Sequence, residues 1–174
     1  LGAQAVGADG VDRRIDVIAT AMRAGLSATD LIDLDLAYAP PYGQAKDPVN
    51  QTGMVAHNVA TGELVLTGPE ALTEDTPVLD VRTPGEYAAG HMPNSLNIPH
   101  TQLRDRLDEV RAWVDENVGD RPFVVMCAAG VRSWIGYRIV RHAGFNVTML
   151  SGGIQTLRAW LGEKAEAVLV KGEG

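Results

Sequence analysis

The alternation of short apolar runs with helical patterns between Val78 and Leu161 constrains this chain most. Val78-Leu79-Asp80-Val81, Ser95-Leu96-Asn97-Ile98, Phe123-Val124-Val125-Met126 and Val147-Thr148-Met149-Leu150 have strand length and strand character. Between them lie a short helix from Pro84 to Ala89, a long helical pattern from about Thr101 to Val118, and a third that ends near Ala143 and Gly144. After Gly152-Gly153 a closing helix carries Leu157, Trp160 and Leu161. Strands joined through helices run parallel, and apolar strands of this kind are covered on both sides. The expected fold is therefore α/β, a mostly parallel sheet with helices on both faces. Ligands of such sheets bind beyond the carboxyl ends of the strands.

The only cysteine, Cys127, falls at such an end. It follows Phe123-Val124-Val125-Met126 and opens the loop Cys127-Ala128-Ala129-Gly130-Val131-Arg132-Ser133, which leads into a helix. Successive backbone N–H groups in a loop of this kind can converge on one atom, and the helix dipoles add partial positive charge. Such a setting favours thiolate over thiol and cradles an anion. A lone cysteine excludes an internal disulfide and a multi-cysteine zinc site, and it suits a reducing, cytoplasmic compartment. The net charge of −7 argues against nucleic acid or an anionic membrane surface as partner. No apolar run approaches the ~20 residues that span a bilayer. His57, His100 and His142 share no motif and are poorly separated for a metal site, so no metal is expected.

Residues 1–63 read differently. Val11 to Ala24 carries a helical stripe, and Gly25 stops it. Ser27 opens a shorter helix with Asp30 as its capping partner. A stretch with Pro40, Pro41 and Pro48 interrupts regular structure, and Met54 to Asn58 is expected to form a further short helix. With one short possible strand, this is an α+β fragment with a thin core of its own. The opening Leu1-Gly2-Ala3-Gln4-Ala5-Val6-Gly7 reads as a cut inside a longer protein.

Residues 64–174 resemble the rhodanese domain family. The resemblance rests on Leu79-Asp80-Val81-Arg82, Glu86-Tyr87, Gly90-His91-Met92-Pro93-Asn94-Ser95 and Asn97-Ile98-Pro99, then on Cys127 to Ser133 and Ser151-Gly152-Gly153. It implies a sulfurtransferase in which Cys127 is the nucleophile and persulfide carrier. The backbone N–H groups of Ala128, Ala129, Gly130, Val131, Arg132 and Ser133 would cradle the terminal sulfur. Arg132 would lend cationic charge, and Ser133 would cap the helix. Asp80 and Arg82 are expected to brace the loop by ion pairing, with Arg82 to Glu86 as the other option. His91 is expected to bond to backbone in a turn. Trp113, Trp134 and Trp160 are expected in the core or at an interface. The donor would be thiosulfate, a persulfide or a polysulfide, and the acceptor a thiol.

Residues 1–63 resemble the C-terminal end of the dimerisation domain of pyridine nucleotide–disulfide oxidoreductases, in their coenzyme A-disulfide reductase branch. Arg14-Ile15-Asp16-Val17-Ile18-Ala19, Tyr38-Ala39-Pro40-Pro41-Tyr42 and Lys46-Asp47-Pro48-Val49-Asn50 carry this likeness, with the opening heptapeptide. The resemblance implies FAD, NAD(P)H and coenzyme A for a parent flavoprotein, none of them bound by this chain alone, and a homodimer. Tyr38 or Tyr42 would reach the partner subunit's site. Two rival functions remain at this point. One is a cysteine-dependent phosphatase, whose C-x5-R loop is one residue longer than the C-x4-R found here. The other is a non-catalytic interaction module.

Overall fold

A computed structural model describes residues 2–41 and 43–172. It divides into two units, residues 1–64 and 65–174.

In the first unit, helix α1 (Val11–Arg23) precedes a 3-10 turn at Thr29–Asp33 and helix α2 (Pro48–Ala60). Ser27 and Asp30 form the reciprocal cap: the Ser27 amide donates to the Asp30 carboxylate at 2.7 Å, and the Asp30 amide donates back to the Ser27 hydroxyl at 3.3 Å. Helix α2 is longer than the sequence suggested. Asp47 accepts from the Val49 amide at 3.0 Å and Pro48 takes the first helical position, so the helix begins there and runs through Gly53. Gly53 serves contact here: a Cβ would lie 2.8 Å from the Ile32 nitrogen. Ala21, Leu31 and Val49 form the small core, and the Asn50 side-chain amide ties the Leu31 and Leu34 carbonyls, each at 3.0 Å. Among the described residues of this unit no strand forms, because a lone extended segment finds no ladder partner within it.

The second unit is the α/β layer structure. It comprises β1 (Leu66–Thr67), β2 (Val78–Asp80), α3 (Pro84–Ala88), β3 (Ser95–Asn97), α4 (Leu107–Trp113), β4 (Phe123–Met126), α5 (Val131–His142), β5 (Val147–Leu150) and α6 (Gly153–Leu161). The five strands lie in the order β1-β5-β4-β2-β3, and every pair is parallel. Strand β1 is too short to leave a periodic signal. The long helix anticipated from Thr101 starts only at Leu107, since tight turns at 99–106 place Leu103 in the core first; a π turn, Val114–Val118, completes it.

Strand alternation sends side chains to two cores. Val78, Val124, Met126 and Leu150 pack with Ile154 and Leu157 of α6. Val125 faces α5 at Gly136, whose missing Cβ would lie 3.3 Å from Val125 and 3.0 Å from Val81. Phe123 meets Trp113 and Phe145 edge-on, Trp134 is half-buried against Tyr137, and Trp160 is exposed. Both faces are thus covered by helices, and β4 stands central with its carboxyl end at Cys127.

Candidate active site

At the end of β4 the chain turns through residues 127–130 and enters α5, with Gly130 at φ +119°. This left-handed excursion swings the following amides inward. The Gly130 amide donates to Cys127 Sγ at 3.2 Å, and the Ser133 hydroxyl lies 3.4 Å from the same sulfur. Burial, the largest influence, pushes the thiol pKa up. Hydrogen bonds from the Ser133 hydroxyl and the amides of Gly130, Ser133 and Ala129 outweigh it, so Cys127 is more acidic than an ordinary thiol. The sulfur is not open to solvent: Cys127 is 1% exposed, while Val131 on the outer rim is 76% exposed.

Ser133 is not the helix cap the sequence suggested. The helix begins at Val131, so Ser133 is its third residue, fully buried, and its hydroxyl lies 2.8 Å from the Gly130 carbonyl that it donates to. One hydroxyl proton cannot serve that carbonyl and the sulfur together. With Cys127 protonated, the S–H can donate to Ser133; with Cys127 ionised, the serine proton can turn to the sulfur.

Arg132 does not stand free. Both its terminal nitrogens donate to Glu86 at 2.7 Å, clasping the loop to the start of α3. The Arg132 guanidinium holds the Glu86 carboxyl at about 2, with help from Thr83, whose amide donates to the same carboxylate. Glu86 is therefore not the partner of Arg82. Arg82 pairs with Asp80 in the interior, its Nη2 at 2.6 Å from Oδ2, and also donates to the Gly90 carbonyl at 2.8 Å. Asp80 is in register with Met126, so this buried pair braces the strand end next to the cysteine. His91 bonds through Nδ1 to the Tyr87 carbonyl at 3.0 Å and stacks on the Tyr87 ring.

Sequence reasoning gave Gly152-Gly153 no physical role. Gly153, at φ +63°, lies so close to the loop that a Cβ would be 2.6 Å from the carbonyl oxygens of Cys127 and Ala128. The amides of Ile154 and Gln155, opening α6, donate to those same carbonyls at 2.9 and 3.1 Å. The loop's carbonyls are thereby held away from the sulfur while its amides turn toward it. Two adjacent glycines directly after a strand were the available signal.

Tyr38 belongs to the first unit, 58% exposed at a cavity of about 360 Å³ that Arg14 and Asp47 also line. Tyr42 lies outside the described residues. Among the described residues no group of His, Cys, Asp and Glu is arranged to hold a metal, and no helix is long and apolar enough to cross a membrane.

Residues 69–159, more than half of the chain, match the family described as Rhodanese-like domain. The crystal structure of reduced Bacillus anthracis CoADR-RHD is similar with a TM-score of 0.81 and 36% identity, over 93% of this chain and 28% of that one. A NAD-dependent persulfide reductase from A. fulgidus is similar with a TM-score of 0.74 and 41% identity, over 86% of this chain and 26% of that one. A coenzyme A disulfide reductase from Staphylococcus haemolyticus is 48% identical over 59 residues, 34% of this chain and 13% of that protein. The chain spans less than a third of the length of each of these relatives.

Proposed function

The chain belongs to the rhodanese-like domain family, and from that premise we propose that it carries sulfane sulfur as a persulfide on Cys127. The observation that supports this reading is the inward-facing set of amides on one buried, acidified sulfur. The Cys127 thiolate attacks the outer sulfur of a donor such as thiosulfate. A new S–S bond forms, the donor's S–S bond breaks, and sulfite departs with the bonding electron pair. The amides of Ala129, Gly130 and Ser133 then stabilise the anionic terminal sulfur as an oxyanion hole stabilises oxygen. An acceptor thiolate attacks that outer sulfur, and Cys127 leaves as thiolate.

The cradle suits one sulfur better than a phosphate. Its ring is C-x4-R, and the arginine a phosphate would need is held by Glu86. The parent we propose is a coenzyme A-disulfide or persulfide reductase, with residues 1–63 ending its dimerisation domain. In that reading FAD, NAD(P)H and coenzyme A belong to sequence outside this chain, and the work is cytoplasmic. The turn after β5 does not fit a pyrophosphate: Gly153 is packed against the carbonyls of Cys127 and Ala128 and leaves no room for one there.

The test is mass spectrometry of the intact chain after exposure to thiosulfate. We expect a gain of one sulfur atom, removed by cyanide as thiocyanate, and no gain in Cys127→Ser. No adduct on the unaltered chain would favour the non-catalytic interaction module.

A further inference from the structure

Along α5, the helix that leaves the cysteine loop, runs a groove of about 430 Å³ lined by Arg104, Trp134, Ile135, Arg138, Ile139 and His142. The groove starts at Trp134, the residue after Ser133, and follows the helix for about 12 Å to His142 at 1.5 Å per residue. Its other wall is Arg104, in the turns that follow β3; its neighbour Leu103 packs toward α5, 3.5 Å from where a Gly136 Cβ would stand. The charge here runs against that of the chain. In a protein of net charge −7, two guanidiniums and an imidazole line this groove and no carboxylate does.

Among the described residues Arg104 and Arg138 form no ion pair, unlike Arg14, Arg82, Arg106 and Arg132. Arg138 lies over the Trp134 ring, 5.6 Å from its centroid, which fixes its direction without cancelling its charge. His142 lies with Nδ1 2.7 Å from the Arg138 carbonyl, anchoring its ring in the wall.

We infer that this groove holds the anionic tail of the thiol that discharges the Cys127 persulfide. The acceptor is then a low-molecular-weight thiol carrying phosphate or carboxylate groups, not a neutral one. The inference rests on the sulfur-transfer reading and adds to it the acceptor's class and docking site. Guanidiniums suit both anions, since each binds oxygens in a planar fork. Placing the tail outside the cradle leaves the acceptor's sulfur free to attack the outer sulfur of the persulfide; that S–S bond breaks, and Cys127 leaves as thiolate.

Two measurements test this. In the first, the persulfidated chain is discharged by a neutral thiol, a carboxylate-bearing thiol and a phosphate-bearing thiol. The preference for anionic over neutral acceptors should fall about tenfold in Arg104→Ala/Arg138→Ala, as loss of charge-assisted hydrogen bonds implies. Whichever anionic thiol loses more identifies the tail. An unchanged preference would overturn the inference. In the second, S-methylated forms of the same thiols, which cannot accept sulfur, are titrated against tryptophan fluorescence. We expect saturable quenching by an anionic thioether in the unaltered chain and in Cys127→Ser, with a weakening of about tenfold in the arginine variant. No saturable response, or one indifferent to the arginines, would also overturn it. Because this binding needs no transfer chemistry, failure of the groove and failure of Cys127 as a carrier give different results.

Discussion

Two strand-to-helix turns stand at the carboxyl edge of the same sheet and put similar backbone to opposite uses. The β4–α5 turn directs its amides at a side chain within itself, Cys127. The β5–α6 turn directs its amides at the carbonyls of the first turn. A tight loop has carbonyls as well as amides, and a bare loop would present both to its centre. The second turn removes that conflict by donating its own amides to those carbonyls. The ring of amides around Cys127 is in this sense made by two loops, although only one carries the cysteine.

The glycines of the two turns break the comparison most sharply. Gly153→Ala forces a Cβ to within 2.6 Å of two backbone oxygens at a positive φ, whereas a Cβ at Gly130 meets nothing within 4 Å. We expect Gly153→Ala to cost roughly 2–5 kcal/mol, from left-handed strain and overpacking together, and to raise the Cys127 pKa as the carbonyls shift. Gly130→Ala should cost only the backbone strain, about 1–3 kcal/mol. Urea denaturation of both variants checks the order; equal losses would mean that the second turn does not support the first.

The smallest effect sharpens the account. Glu86→Gln keeps the cap on Thr83, because glutamine serves in a capping box, but releases Arg132. The pair is substantially exposed, so the stability change should stay below about 1 kcal/mol and shrink with salt. Its carboxyl is depressed from 4.5 to about 2, so the pair's contribution is complete above pH 4.5 and is lost as pH falls toward 2. A freed Arg132 should lower the Cys127 pKa further, since its charge already couples to the sulfur. A thiol titration of the variant reads that shift, and an unmoved midpoint would show that the amides act alone.

The legibility of the chain follows the range of its interactions. Phe123–Met126 and Val147–Leu150 lie in the structure where their apolar residues placed them; the first is buried at every position and accordingly apolar throughout, and the second carries its one polar residue, Thr148, at its one partly exposed position. The C-terminal limit of α1 was equally local, with its helix ending just before Gly25. The features with no local signature depend on residues far apart in the chain. Glu86 and Arg132 stand 46 residues apart, and no spacing rule joins them. Leu66–Thr67 is a strand only because β5 offers it an edge. The start of α2 was readable in Asp47-Pro48, a cap and a first-turn proline, but the nearby prolines suggested interruption instead. Burial of Cys127 is likewise a property of the folded loop, which covers the sulfur that the local sequence placed at an open edge.

The chain's single cysteine permits one direct measurement, the ultraviolet absorbance of its thiolate as a function of pH. A thiol of depressed pKa ionises earlier and favours the folded state increasingly as pH rises through that pKa, losing this contribution as pH falls back through it. The account predicts a midpoint below the 9.0 of an ordinary thiol, moving upward in Gly153→Ala. A midpoint at or above 9.0 in the unaltered chain would mean that burial prevails over the amides, and the cradle would not hold an anion.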